Sequence, residues 1–252
     1  MKTLVKILLL LLLTATAQAS DLAKEKRWAS QVVDAIVDGE AVWLNDGSNK
    51  FLGIYTEATD ESDHSVIVMH GTGIHPDWQQ VVQPLRVGLT EHGWNTLSIQ
   101  MPVLANDAEY PEYAPLYDEV GPRIDAAIKY LKEHGTKDIV LIGHSQGASM
   151  AAYYLSRSKQ KIKGFVAIGM GTFADDPRMN SILSLQKIHV PVLDLYGSDD
   201  LEGVLKTIDK RKAAAKQAGN ADYTQVRIDG ANHFYDGHDD ELLETVSSWL
   251  NR

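Results

Sequence analysis

Ile139-Val140-Leu141-Ile142-Gly143-His144-Ser145-Gln146-Gly147-Ala148-Ser149-Met150-Ala151-Ala152 is the stretch on which the reading of this fold turns. Four large apolar residues read as a buried strand, and the small residues and methionine after Gly147 read as a helix. Between them sits the pentapeptide G-x-S-x-G. A strand that reverses at once into a helix needs small residues on both sides of the turn, so that the serine can occupy a strained backbone with its hydroxyl exposed. Gly143 and Gly147 supply that room. At ordinary glycine and serine frequencies, however, chance alone produces the pentapeptide in about one chain in ten of this length. Its weight comes from what surrounds it.

On either side, short runs of Val, Ile and Leu alternate with segments of helical period, the pattern of a mostly parallel sheet with helices on both faces. Upstream, a helix is expected over 23–37. Strands at 41–44 and 51–55 flank Asn45-Asp46-Gly47 as an antiparallel hairpin. A strand at 65–69, a helix over 78–92, a strand at 96–100 and a helix over 122–134 follow. Gly93 and Gly135 suit the left-handed position after a helix, and Pro122 suits a first helical turn. Downstream come a helix to Arg157, a strand at 165–168, a short helix at 181–186 and a strand at 192–196. A helix over 201–218, a strand at 224–228 and a closing helix over 241–250 complete the series, with Asp239 and Asp240 placed for the last helix's positive end. The stretch from Pro102 to Val120 reads as irregular. Its Tyr110, Tyr113 and Tyr117 either shape a pocket or pack on the surface of the domain.

Composition narrows the function classes. Lys2 and Lys6, the apolar run Ile7 to Leu13 and the small residues of Ala17-Gln18-Ala19 read as a cleaved signal peptide. Thr14, Thr16 and Gln18 interrupt the run before the roughly 18 apolar residues that a membrane anchor needs. The expected mature protein is residues 20–252, one α/β domain, exported to the periplasm or secreted, with no stable membrane anchor. The chain has no cysteine, so its core must stabilise it without disulfides. Net charge is −10 for the whole chain; loss of the two leader lysines leaves 22 basic against 34 acidic residues, or −12. Such a chain is a poor partner for nucleic acid, and no basic stripe with interleaved aromatics is present. The densest basic cluster, Lys206 to Lys216, reads as a solvated helix face.

A serine hydroxyl becomes a nucleophile only when a base takes its proton and an acid holds that base in the right tautomer. Downstream of Ser145, the strand containing Asp194 runs into the turn Gly197-Ser198-Asp199-Asp200, whose acids fall at the same sheet edge as the serine. Asp194, inside the strand, reads as structural. The segment Asp229-Gly230-Ala231-Asn232-His233-Phe234 then offers His233 as the base, after the last strand and before the last helix. His233, Asp236, His238, Asp239 and Asp240 also lie close in sequence, but their spacing matches no standard metal site, and no metal is expected. Upstream, His70-Gly71-Thr72-Gly73 follows the strand at 65–69, with glycines that let backbone approach a substrate and a histidine suited to ordering the loop. Ile74-His75-Pro76-Asp77-Trp78 either lines the pocket or caps and staples the next helix.

With these residues together, the chain resembles serine hydrolases of the α/β-hydrolase superfamily over nearly all of Phe51 to Leu250. Val68 to Trp78 and Gly93 to Ser98 are similar, more narrowly, to exported bacterial α/β-hydrolase-like proteins of undefined function. The resemblance implies a central sheet of about eight strands. It implies a triad in the chain order Ser145, Asp200, His233, with Asp200 preferred to Asp199 because the fold places its acid as G-x-x-D. It also implies an oxyanion hole from the N–H of Gln146 and one N–H of the upstream loop, with Thr72 expected and Gly71 or Gly73 the alternatives. Residues 169–180 leave little room for a lid. The expectation is a cofactor-free, carboxylesterase-like serine hydrolase acting on small acyl substrates. Thioesterase, peptidase or acyltransferase chemistry would use the same triad. A binding or assembly protein of the cell envelope that kept the fold without the reaction is the rival from another class.

Overall fold

A computed structural model describes residues 20–252, so the expected signal peptide lies outside the described residues. Eight strands form one sheet in the order β1-β2-β4-β3-β5-β6-β7-β8. These are β1 (Glu40–Asn45), β2 (Lys50–Thr56), β3 (His64–Met69), β4 (Asn95–Ile99), β5 (Asp138–His144), β6 (Gly164–Ile168), β7 (Val192–Asp199) and β8 (Tyr223–Asn232). β1, β2 and β4 pair antiparallel, and every pairing from β4 through β8 is parallel. The hairpin expected around Asn45-Asp46-Gly47 is β1–β2.

The continuous apolar runs have a simple cause: the parallel strands are covered on both faces. Ile67, Met69, Leu141, Phe165 and Ala167 point into one apolar cluster, while Val66, Val68, Val140, Ile142, Val166 and Ile168 point into the other. Each fully buried Val, Ile or Leu contributes about 1.5–3 kcal/mol, so this alternation largely fixes the register. The first cluster is closed by α3 (Tyr117–Glu133), α4 (Gln146–Leu155), α5 (Ser181–Leu185) and α7 (Ile208–Gln217). The second is closed by α2 (Val82–Gly88) and α8 (Asp239–Leu250), and α1 (Leu22–Ala35) covers Leu52 and Ile54 of β2. Among the described residues, no helix is long and apolar enough to cross a membrane.

Three expectations about helices need correction. The helix expected from Trp78 begins only at Val82, because Val81 adopts φ 62° and the chain turns through it, and the last turn, Leu89–His92, is 3-10. α3 starts at Tyr117, so Pro122 sits inside the helix and not in its first turn. Its early start is driven by burial: a 3-10 helix over Tyr110–Leu116 leads directly into it, and Tyr113, Leu116, Tyr117 and Val120 are all buried. The helix expected over 201–218 is two, α6 (Glu202–Leu205) and α7. In the second, Arg211 is wholly buried and pairs with Asp194 at 2.7 Å, so Lys206 to Lys216 is not simply a solvated face. Asp194 is structural, as its place inside the strand suggested. Gly93 and Gly135 are left-handed, with φ 83° and 86°.

Candidate active site

All the candidate residues gather where the parallel strands end. β5 finishes at His144, the chain reverses at Ser145, and α4 begins at Gln146. Ser145 has φ 54° and ψ −119°, a conformation that costs a non-glycine residue about 1–3 kcal/mol and persists only where surrounding structure imposes it. That imposition is visible. The Ser145 N–H donates to the Ile168 carbonyl at 2.8 Å, and the Ser145 carbonyl accepts from Ala148 and Ser149. A Cβ on Gly143 would lie 2.6 Å from the Ala148 backbone, and one on Gly147 would lie 2.4 Å from the His70 carbonyl oxygen. Both glycines are therefore steric requirements of the turn.

His233 directly follows β8, and its ring reaches both partners. Its Nδ1 lies 2.6 Å from Asp200 Oδ1, and its Nε2 lies 2.9 Å from Ser145 Oγ. An ionised carboxylate can only accept, so Nδ1 carries the proton and Nε2 is left to accept from the serine hydroxyl. Asp200 Oδ1 also accepts from the Leu201 N–H at 2.7 Å, which fixes the carboxylate. His233 and Asp200 are both buried, whereas Asp199 is exposed and has Ser198 Oγ beside it. A bulge between Gly197 and Asp199 of β7 accompanies this turn. Of the two acids left open at this turn, Asp200 is the one that meets His233.

Two supporting residues carry signals that the sequence reading did not use. The Nε2–H of His144 donates to the His233 carbonyl at 2.9 Å, so the residue before the serine holds the backbone of the candidate base. Burial, then the neighbouring His233, depress its pKa to about 4, which keeps the ring neutral. Gly169 has φ 57°, and a Cβ there would lie 3.1 Å from the His233 ring and 3.4 Å from Asp200 Oδ2. Its place as the first residue after β6 was the available clue.

The loop after β3 is ordered by His70, as expected. Its Nε2 accepts from the Met101 N–H at 2.9 Å and its Nδ1–H donates to the Gly71 carbonyl at 2.8 Å. Burial holds its pKa down to about 3. Gly71 lies against the serine: a Cβ there would sit 3.2 Å from Ser145 Cβ. Thr72 is exposed and lines the same cleft as Ser145. Gln146 opens α4, where the first N–H groups have no intrahelical partner and the helix dipole is positive. The cleft has a volume of about 330 Å³, with Tyr110, Phe173, Leu201 and Val204 in its walls. Of the three loop tyrosines, Tyr110 lines the cleft while Tyr113 and Tyr117 are buried. His75 and Trp78 line a different cleft, next to α1. A larger cavity of 550 Å³ lies between α3 and the end of α4, but no nucleophile and base meet there. His238, from the loop weighed as a metal site, has Glu241 as its partner at 3.3 Å.

A family model described as Protein of unknown function (DUF3530) matches residues 14–121 and 111–252. The chain belongs to this family. No curated protein matches it. Solved structures similar to this DUF3530 protein include the Pyrococcus furiosus esterase Pf2001, at TM-score 0.70 and 21% identity over 84% of this chain and 91% of that one. An alpha-beta serine hydrolase homologue from Coxiella burnetii matches at TM-score 0.67 and 23% identity, over 85% and 99% of the two chains. Est1E from Butyrivibrio proteoclasticus matches at TM-score 0.64 and 19% identity, over 83% and 97%. These likenesses establish the α/β-hydrolase fold for the DUF3530 chain.

Proposed function

We propose that this protein is a serine hydrolase of carboxylesterase type, with Ser145, His233 and Asp200 as its triad. The observation that carries the reading is the unbroken relay from Ser145 Oγ through the His233 ring to Asp200, at 2.9 Å and 2.6 Å, on a serine held at φ 54°. In this mechanism Ser145 Oγ attacks an acyl carbonyl as its proton passes to His233 Nε2. Asp200 stabilises the imidazolium that forms. The N–H groups of Gln146 and Thr72 receive the oxygen that becomes negative, each contributing on the order of 10²- to 10³-fold in rate. His233 then returns the proton to the leaving alcohol. Water attacks the acyl-serine with His233 again as base, and free serine is regenerated.

A cleft of about 330 Å³ is at the small end of ligand pockets, which favours small, soluble acyl groups. Tyr110 and Phe173 meet edge to face in its wall, with ring centroids 6.1 Å apart, and offer a flat acyl group an aromatic surface. Est1E has been solved with ferulic acid bound, an aromatic acid, so arylacyl esters belong in the substrate panel. The test is fluorophosphonate labelling of the protein and of Ser145→Ala, alongside hydrolysis of aryl esters of short acyl chains. Labelling that depends on Ser145 supports the reading. An unlabelled protein favours a binding or assembly role on the same fold, and labelling that persists in Ser145→Ala overturns the choice of nucleophile.

A further inference from the structure

Away from the cleft, Arg123 of α3 is fully buried and surrounded by acids from three parts of the chain. Glu25 of α1 approaches at 3.1 Å, Asp46 of the β1–β2 turn at 3.8 Å and Glu119 of α3 at 4.0 Å. Among the described residues, this cluster sets three carboxylates against one guanidinium. Burial raises the pKa of Glu25 despite the arginine, so an additional cation would stabilise the group. Ser20 lies in this cluster. Its backbone N–H donates to Glu119 Oε1 at 3.0 Å, and its hydroxyl accepts from Arg123 at 3.4 Å. The next residues fasten it: the Asp21 N–H donates to the Val103 carbonyl at 2.7 Å and Lys24 Nζ to the Leu104 carbonyl at 2.8 Å.

Ser20 is also the residue that follows Ala17-Gln18-Ala19, the small-residue pattern a signal peptidase reads. We propose that a signal peptidase hydrolyses the Ala19–Ser20 bond, and that the new α-ammonium of Ser20 pairs with Glu119 to supply the cation this carboxylate cluster lacks. Water adds across the peptide bond, leaving a carboxylate on Ala19 and the ammonium on Ser20. The cut is made while the chain is still extended during export, so the burial of Ser20 is its consequence. An amide at this position offers one neutral donor, whereas an ammonium offers three donors and a full charge. Charge-assisted bonds of that kind are about twice as strong as neutral ones. The inference does not depend on the hydrolase reading.

A pH signature follows. The charged groups around Ser20 are Glu119 and Arg123 from α3, Glu25 from α1 and, across Arg123, Asp46 from the hairpin; Asp21 and Lys24 follow it in the chain, Asp21 accepting from the Lys24 N–H and Lys24 Nζ held on the Leu104 carbonyl. Pairing with a carboxylate raises the amine's folded-state pKa above the usual value of about 7.7–8.0. The added stability is therefore complete below that value and is lost as pH rises through the raised one. The experiment expresses residues 1–252 in an export-competent host, as wild type and Glu119→Gln, and purifies the exported product. N-terminal sequencing is expected to begin Ser20-Asp21-Leu22. The wild type is expected to unfold about 2–4 °C above Glu119→Gln at pH 7, the gap shrinking to less than half by pH 10. Selective acetylation of the wild-type α-amine, which removes the charge and keeps an N–H, is expected to remove the same increment at pH 7. That arm decides the matter if Glu119→Gln does not fold. A different first residue, a gap that stays constant from pH 7 to 10, or acetylation without effect would each overturn the proposal.

Discussion

Replacing Gly147 by alanine tests how the serine turn is built. The added Cβ would fall 2.4 Å from the His70 carbonyl oxygen, 2.5 Å from that of Met69 and 2.9 Å from the Met69 carbonyl carbon. All three are backbone atoms at the end of β3, where no side chain can rotate aside. Relief to ordinary contact requires α4 and the end of β3 to separate by about 1 Å, and overpacking of this kind costs about 1–3 kcal/mol. For a chain of this size that is a fall in Tm of about 2–12 °C. The same movement draws Ser145 and Gln146 away from Gly71 and Thr72. A misplacement of about 1 Å can cost roughly 10²-fold in rate, so fluorophosphonate labelling should slow by about that factor. The assay is thermal unfolding and labelling kinetics of Gly147→Ala beside wild type, with Gly203→Ala, whose added Cβ meets nothing within 4 Å, as the control for unfolding alone because Gly203 also lines the cleft. If Gly147→Ala melts within 1 °C of wild type and labels at its rate, the steric account of this turn is wrong.

Further outcomes follow from the same geometry. Ser145→Gly should melt above Ser145→Ala in differential scanning calorimetry. Only glycine relieves φ 54°, and the strain of about 1–3 kcal/mol exceeds the roughly 0.5–1 kcal/mol of added chain entropy. Asp200→Asn should lower kcat on aryl esters by about 10⁴-fold, because His233 loses the acceptor that sets its tautomer, whereas Asp199→Asn should change kcat less than twofold. Buried His70 and His144, with pKa values of about 3 and 4 against an ordinary 6.5, stay neutral in the folded protein while the unfolded chain takes up protons. Their stability contribution is complete above pH 6.5 and is lost as pH falls toward 4 and then 3, at up to about 1.4 kcal/mol per pH unit for each ring. Urea midpoints measured from pH 7 to 4 should show this slope, and His70→Gln should flatten it.

Much of the molecule was legible in the sequence because its signals are local. Apolar runs of strand length separated by helical periods specify a covered parallel sheet, since that is how such residues leave water. The strand, the serine between two glycines and the following helix specify the turn at Ser145, because only small residues fit there. Local order also put His233 and the Asp199-Asp200 pair at the ends of strands. It could not say which aspartate turns inward: this depends on the bulge in β7 and on where β8 delivers His233, 33 residues from Asp200 along the chain and 88 from Ser145. Distant pairings also buried Arg211 against Asp194, set His144 on the backbone of His233 and drew the start of α3 back to Tyr117. Periodicity reports which face of an element is apolar. The partner an individual side chain meets there is decided by packing among segments far apart in sequence, which only the tertiary structure brings together.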